Sequence, residues 1–471
     1  MQSFKSILPA RATRRFAGAA VFAAALTLAA APAHAQDKAI LDLLVKRGVI
    51  TQAEADDAAK SEAVIVTPKE AAVKKLQLEG MLQVQYDWLT TQDKSLPAKT
   101  IQPPSTNQFQ IRRAYLGAIA DLGNGWGGEI LFDFAAGPQT SAAPQAQSTQ
   151  NNFEKLIITK KFGDYGSAIF GFQKVNWDQE ENTPSSQLKT VERSIATNYF
   201  DSPWGGSTTG RLGFGNRHTG VFWNGLVPSI NGFYYGFALT NGIQSTTNFG
   251  NTAAGTANYN EFAGWANLGY SGKWGNFGYK FGVNAGYAGD ANSVSGLPLL
   301  LGYNQNNAIF GYNPYATFTY DNFALAVEFL QAKVQNGRVS GPTAATSIYS
   351  DAAPYGINVT PSYKINSQWE IAAKYSLLAT NGRGTTINPV DRNAQNTFII
   401  PGQVPANTAS NFDNAWSAYL GVNYYFIGYN VKVSAGYEFT QFTSRQTITG
   451  GNWNGARADV NGFRTQLQVV F

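Results

Sequence analysis

The chain has 471 residues, no cysteine, 48 glycines and 2 methionines, and is 44% hydrophobic, 13% aromatic and 14% charged, against roughly 25% charged in ordinary soluble domains. This composition excludes a disulfide scaffold, a charged coiled coil and a disordered chain, which needs few aromatics and high net charge. The formal charge of +5 is local, because Lys5, Arg11, Arg14 and Arg15 stand in residues 1–35 without an acid. Without those four, 31 of the 35 basic residues face 30 acids, so no nucleic-acid footprint remains.

The basic segment Lys5 to Arg15 precedes the apolar stretch Phe16 to Ala31, and Ala33-His34-Ala35 follows as a small-x-small site. These are the three parts of a secretory signal peptide cleaved after Ala35. Beyond it no run reaches the ~18 apolar residues of a spanning helix. The exported chain is therefore soluble or inserted as a closed barrel, the one other structure that satisfies every backbone group in lipid.

Residues 36–75 read as a short periplasmic helical segment. Ile40, Leu41, Leu44 and Val45 have helical spacing, Gly48 follows as a stop, and Thr51-Gln52-Ala53-Glu54 is a capping box. Seven basic and seven acidic side chains make it a solvated hairpin or a tethering element.

From residue 76 the period becomes two. Leu76, Leu78, Leu82, Val84, Tyr86 and Trp88 alternate with Gln77, Glu79, Met81, Gln83, Gln85 and Asp87. Sixteen such segments begin near Leu76, Gln108, Trp126, Asn151, Tyr165, Gly213, Ser229, Asn258, Gly275, Ile309, Asn322, Ala352, Ser367, Asn414, Gly428 and Asp459. Short connections such as Gly123-Asn124-Gly125 and Asp321-Asn322 alternate with long ones near 91–107, 137–150, 176–210, 241–257, 289–308, 336–351, 380–413 and 443–458. Tight turns on one side and long loops on the other, over an even strand count, predict an all-β, 16-stranded antiparallel transmembrane barrel over 76–471. The clusters Tyr86/Trp88, Tyr320/Phe323 and Tyr424/Tyr425/Phe426 are expected as aromatic girdles in the outer-membrane lipid.

A barrel of this size leaves an aqueous lumen. The alternation assigns inward positions to Gln77, Glu79, Gln83, Lys280, Asn284, Glu370, Lys374, Lys432, Glu438 and Arg464. Of the neighbours Arg112 and Arg113, strict alternation lets only one face the lumen. The longest connection, 176–210, carries Asp178, Glu180, Glu181, Lys189, Glu192, Arg193 and Asp201, and is expected to fold inward and narrow the pore. With Lys174 at its root, these charges are the candidate constriction. The slight basic excess predicts weak anion preference at most.

The stretch FQIRRAYLGAIADLGNGWGGEILFDFA (109–135) resembles a segment of the outer-membrane phosphate-selective porins of the O/P type, with its RRA-x-LG and F-DFA elements. GFQKVNWDQEENTPSSQLKTVERS (171–194) is similar to that family's next block, where a strand runs into the constriction loop. The matching positions are Glu180 or Glu181, Thr183, Ser185, Ser186, Glu192, Arg193 and Ser194. LLVKRGVITQAEAD resembles its N-terminal segment. After Lys174 this chain has Val175-Asn176-Trp177, where the family usually shows Pro-Phe-Ser. The resemblance implies a homotrimeric 16-stranded porin with an infolded loop.

Other motifs lead nowhere. Gly123-x-Gly125-x-x-Gly128 matches a dinucleotide fingerprint formally but opens no helix, so it reads as a hairpin turn. His218 is the one histidine after the signal, placed at the start of the sixth strand, so neither a His/Cys metal site nor a serine triad is expected. The sequence thus predicts a porin passing small hydrophilic solutes or anions, without cofactor or enzymatic chemistry. A phosphate- or anion-specific channel and an envelope-tethering protein are the alternatives.

Overall fold

The computed structural model describes residues 64–66, 73–93, 106–135, 153–201, 212, 214–215, 217–241, 262–289, 308–340, 348–381, 412–443 and 457–471. The expected signal peptide and nearly all of the helical segment lie outside these residues. The chain divides into two compact units, Met1–Val64 and Ile65–Phe471, and the account below concerns the second.

Besides the short strand Val64–Val66 at the boundary between the units, sixteen strands alternate in direction among the described residues of this unit. They are β1 (Lys75–Asp93), β2 (Thr106–Gly123), β3 (Trp126–Asp133), β4 (Phe153–Lys161), β5 (Gly166–Lys174), β6 (Arg217–Leu226), β7 (Phe233–Asn241) and β8 (Phe262–Trp274). There follow β9 (Phe277–Ala288), β10 (Ile309–Tyr320), β11 (Phe323–Ser340), β12 (Ile348–Ala352 and Tyr355–Lys364), β13 (Trp369–Ala379), β14 (Asn414–Ile427), β15 (Val431–Thr443) and β16 (Arg457–Val470). Every strand begins within four residues of its expected start. β12 is one strand in two pieces, both paired with β11 and parted at Ala353-Pro354, where proline has no N–H for the ladder.

Each strand pairs antiparallel with the next, and β16 returns to β1 from Ala458↔Asp93 to Val470↔Met81. Gly80 and the terminal Phe471 complete the seam, each backbone N–H donating to the other's carbonyl at 2.7 and 3.0 Å. Closure leaves no sheet edge, which is the condition for strands to stand in lipid.

The faces follow the period of two. On β1, Met81, Gln83, Gln85 and Asp87 are buried inside, while Leu82 and Trp88 are exposed outside. The outer wall is apolar and aromatic all round, with Phe109, Phe237, Phe281, Tyr320 and Leu420 among its exposed side chains. Tyr424 and Phe426 belong to that surface, but Tyr425 between them is buried and bonds Glu370 inside, so it leaves the expected girdle. Asn124 and Gly125 both have positive φ, 54° and 78°, the conformation of a two-residue hairpin turn onto β3.

Candidate functional site

The connection from β5 to β6 enters the barrel and lies along its inner wall. It carries two short helices, α1 (Gln179–Asn182) and α2 (Ile195–Asp201). Asp178 accepts a bond from the Glu181 N–H at 3.0 Å and caps α1.

The root of the loop is apolar. Val175, Trp177, Phe200, Leu212 and Phe214 are fully buried in one cluster with Trp265, Ile309 and Leu330 of the wall. Trp177 meets Phe214 edge-on at 4.8 Å, and Phe214 meets Trp265 at 4.9 Å. The wall makes room with glycine. Gly286 and Gly311 are cross-strand neighbours, and a Cβ on Gly311 would stand 2.5 Å from the Trp177 ring. Burial of such rings is worth several kcal/mol (about 25 cal/mol per Å2).

The tip is held differently. Its backbone carbonyls accept bonds from wall side chains, one strand after another. Ser185 O takes Gln83 Nε2 of β1 at 3.5 Å, Ser186 O takes Gln468 Nε2 of β16 at 3.1 Å, and Leu188 O takes Lys432 Nζ of β15 at 2.8 Å. Lys189 O takes Asn423 Nδ2 of β14 at 2.9 Å, and Glu192 O takes Lys374 Nζ of β13 at 2.6 Å. A chain with little regular structure beyond a 3-10 turn at Ser185–Gln187 thus has its carbonyls satisfied by the wall, as burial demands.

Ion pairs complete the attachment. Arg112 holds Glu192 through two bonds, Nε to Oε1 at 2.5 Å and Nη2 to Oε2 at 2.7 Å. Lys374 holds Glu180 at 2.6 Å, Lys189 holds Glu370 at 2.7 Å, and Glu181 lies between Lys174 at 2.7 Å and Arg193 at 2.8 Å. Arg113 is also inside and donates to Gln83 Oε1 at 2.7 Å. The expectation that only one of Arg112 and Arg113 faces inward is therefore overturned. The register steps from Gln83↔Arg113 to Val84↔Ile111, which makes Arg112 the extra residue of a β-bulge. A bulge places two consecutive side chains on one face and is common beside functional sites.

Burial pushes the Glu192 carboxyl up, but the guanidiniums of Arg112, Arg113 and Arg464 outweigh it and hold it well below the usual carboxylate range. Burial likewise raises Glu180, and Lys374 overcomes that effect and lowers it. Burial lowers Lys189, while Tyr429 and Glu370 together raise it above its ordinary value.

The structure thus gathers Arg112, Arg113, Lys174, Glu180, Glu181, Lys189, Glu192, Arg193, Lys374 and Lys432 around one loop. Arg464 stands beside them, bonded to Asp87 at 3.2 Å and Glu438 at 3.0 Å. Lys280 stands apart on β9, over the rings of Tyr234 and Tyr315. Two participants escape a reading of the sequence. Glu328 of β11 accepts the Gln179 N–H at 2.9 Å and fixes the start of α1. Its signal was a lone acid in the apolar run FALAVEFLQA, on the face shared with small alanines. Trp177 was visible only as the residue standing where the family's pattern differs. His218 lies in β6 as expected, buried with its ring 5.0 Å from Trp265.

No match was found among curated proteins. Among solved structures, OmpF of Salmonella typhi in complex with daunomycin is similar at 13% identity, covering 84% of this chain and 98% of that one with a TM-score of 0.51. This likeness concerns the fold. The outer-membrane channel DcaP of Acinetobacter baumannii is 12% identical over 86% of this chain and 100% of that one (TM-score 0.49). OprB of Pseudomonas putida is 13% identical over 83% and 94% (TM-score 0.49). The family described as phosphate-selective porin O and P matches residues 82–471, which is the barrel almost entire. With its sixteen strands, wet-faced interior and infolded loop, the chain belongs to that family of outer-membrane porins.

Proposed function

We propose that this porin passes small hydrophilic solutes by diffusion and prefers anions, as a homotrimer, with no covalent chemistry. The observation that carries the preference is how its ion pairs are oriented. In the loop pair Lys189–Glu370 the lysine side chain is 24% exposed and the carboxylate 1%. In Lys174–Glu181 the values are 22% and 7%. A permeating ion therefore meets the ammonium of each pair with its counter-charge hidden behind it. Two pairs are turned the other way, Glu438 over Arg464 and Glu180 over Lys374, so the preference is modest. Charges in a confined pore bias which ions enter, and salt weakens that bias.

Reversal potentials in a potassium chloride gradient across planar bilayers test this reading. The expected result is chloride preference that fades at high salt and is reduced in Lys189→Gln. Preference for potassium would overturn it. Export through the N-terminal signal, cleaved after Ala35, belongs to the same proposal and is checked by the N-terminus of the purified protein.

A further inference from the structure

The wall from β6 to β10 carries a chemistry different from the loop's ion pairs. Cross-strand register aligns Asn224, Gly236, Asn267, Asn284 and Asn313 in one inward row over five consecutive strands. The gap above Gly236 is filled from the loop: Asn176 Nδ2 donates to Asn224 Oδ1 at 3.1 Å and to Asn267 Oδ1 at 3.0 Å. A Cβ on Gly236 would stand 2.9 Å from that nitrogen. Asn224 is exposed and Asn176 and Asn267 are half-buried, so the amide groups of Asn224 and Asn267 left over from these bonds face the water of the lumen.

The next inward row toward the short turns is Tyr234, Gly269, Gly282 and Tyr315. The two tyrosines lean over the two glycines until their hydroxyls meet at 2.7 Å. A Cβ on Gly269 would lie 2.3 Å from the Tyr234 hydroxyl, and one on Gly282 2.7 Å from that of Tyr315. Only glycine lets both rings reach across the wall. One row further on, Lys280 stands between Ser271 and Thr317, its Nζ 5.4 and 5.6 Å from the two ring centroids. Among the described residues Lys280 has no carboxylate partner. Successive inward rows are about 7 Å apart.

We propose that this strip is a binding site for a polyhydroxylated ring bearing one anionic group. The remaining N–H groups of Asn224 and Asn267 donate to its hydroxyls, the tyrosine bridge offers flat apolar surface to its C–H face, and Lys280 takes the acid. The proposal rests on the wet lumen of the preceding section but not on its chloride preference. It adds a solute class that the loop lysines alone would not distinguish from any small anion.

The test is current block of the purified porin in planar bilayers by glucuronate and glucose 6-phosphate, against glucose and acetate. Either charged sugar is expected to block at concentrations about tenfold below those needed by acetate or glucose, and the two together tell a carboxylate from a phosphate preference. Asn224→Ala, at the exposed end of the row, is expected to weaken that block about tenfold. Gly269→Ala, which pushes Tyr234 off its glycine, should weaken it too. Gly269→Ala, which touches no loop residue, should leave the chloride reversal potential unchanged, which separates this site from the ion pairs of the loop. Charged sugars that block no better than acetate, or an Asn224→Ala channel blocked as strongly as wild type, would overturn the proposal.

Discussion

The two ends of the infolded loop are attached by opposite physics. The root is a dry aromatic cluster, Trp177, Phe200 and Phe214 set against Trp265 and the glycines of β9 and β10. The tip buries Leu188 and Val191 outside that cluster and is held mainly by carbonyl bonds and ion pairs to β13–β16 and β1–β2. Dry packing is costly to empty, whereas a polar attachment can be released by altering one charge. The loop is thus fixed where it leaves the wall and adjustable where it faces the solute.

The root gives the largest expected effect. Trp177→Ala removes a fully buried indole from a cluster closed on every side, a loss of about 3–5 kcal/mol for such truncations. The loop should leave its seat, and single-channel conductance should rise with rapid fluctuation. A steady conductance equal to wild type would mean that the tip alone positions the loop. Glu192→Ala comes next. It strands Arg112 in the lumen wall without its bidentate partner, and breaking a buried pair by removing one member costs about 3–5 kcal/mol. Part of that is recovered here because Arg112 can turn toward lumen water, so the effect should fall below that of Trp177→Ala. Its signature is an altered ion preference with a smaller rise in conductance. An outcome in the reverse order would place the main anchor at the tip.

The strands and their connections were legible because each depends on local signals: alternation of period two, and turn residues such as Asn124-Gly125 with backbone angles the sequence announces. The charged residues of the loop were legible for the same reason, since a dense charge run in a long connection between apolar strands has few other uses. Three features were not. The joint inward placement of Arg112 and Arg113 depends on a bulge, which is a relation between strands and leaves no mark in one of them. The asparagine row depends on register across five strands, so residues far apart in sequence become neighbours. Trp177 looked like one more aromatic in an aromatic-rich chain, and only a partner brought from β10 shows what it fills.

Acid tests the polar attachment of the tip. Glu192 and Glu180 have their carboxyl pKa values held below the ordinary value of 4.5, Glu192 well below it. A group depressed in this way contributes stability that is fully present above its unfolded pKa and is lost as pH falls through the lower folded value. The tip should therefore stay attached from neutral pH down to about 4.5 and loosen only below it. Conductance recorded against pH should be flat over that range and rise beneath it. A rise beginning near pH 6 would assign the attachment to groups other than these two carboxylates. In Glu192→Gln the acid-induced rise should be smaller, since only Glu180 of the two is left to titrate.

The smallest effect is expected at a single carbonyl bond. Asn423 donates to Lys189 O at 2.9 Å and to Glu370 at 3.4 Å, and its own Oδ1 accepts from Ser434 at 2.6 Å. In Asn423→Ala the Lys189 carbonyl loses its wall partner, but Lys189 itself is partly exposed and lumen water can take the vacant place. The net loss should be about 1 kcal/mol, the ordinary worth of a replaceable hydrogen bond. Mean conductance and reversal potential should hardly change, and the difference should appear as added current noise from a looser tip. If this substitution alone opened the channel as far as Trp177→Ala, the carbonyl contacts would act as one cooperative clasp, each useless without the others.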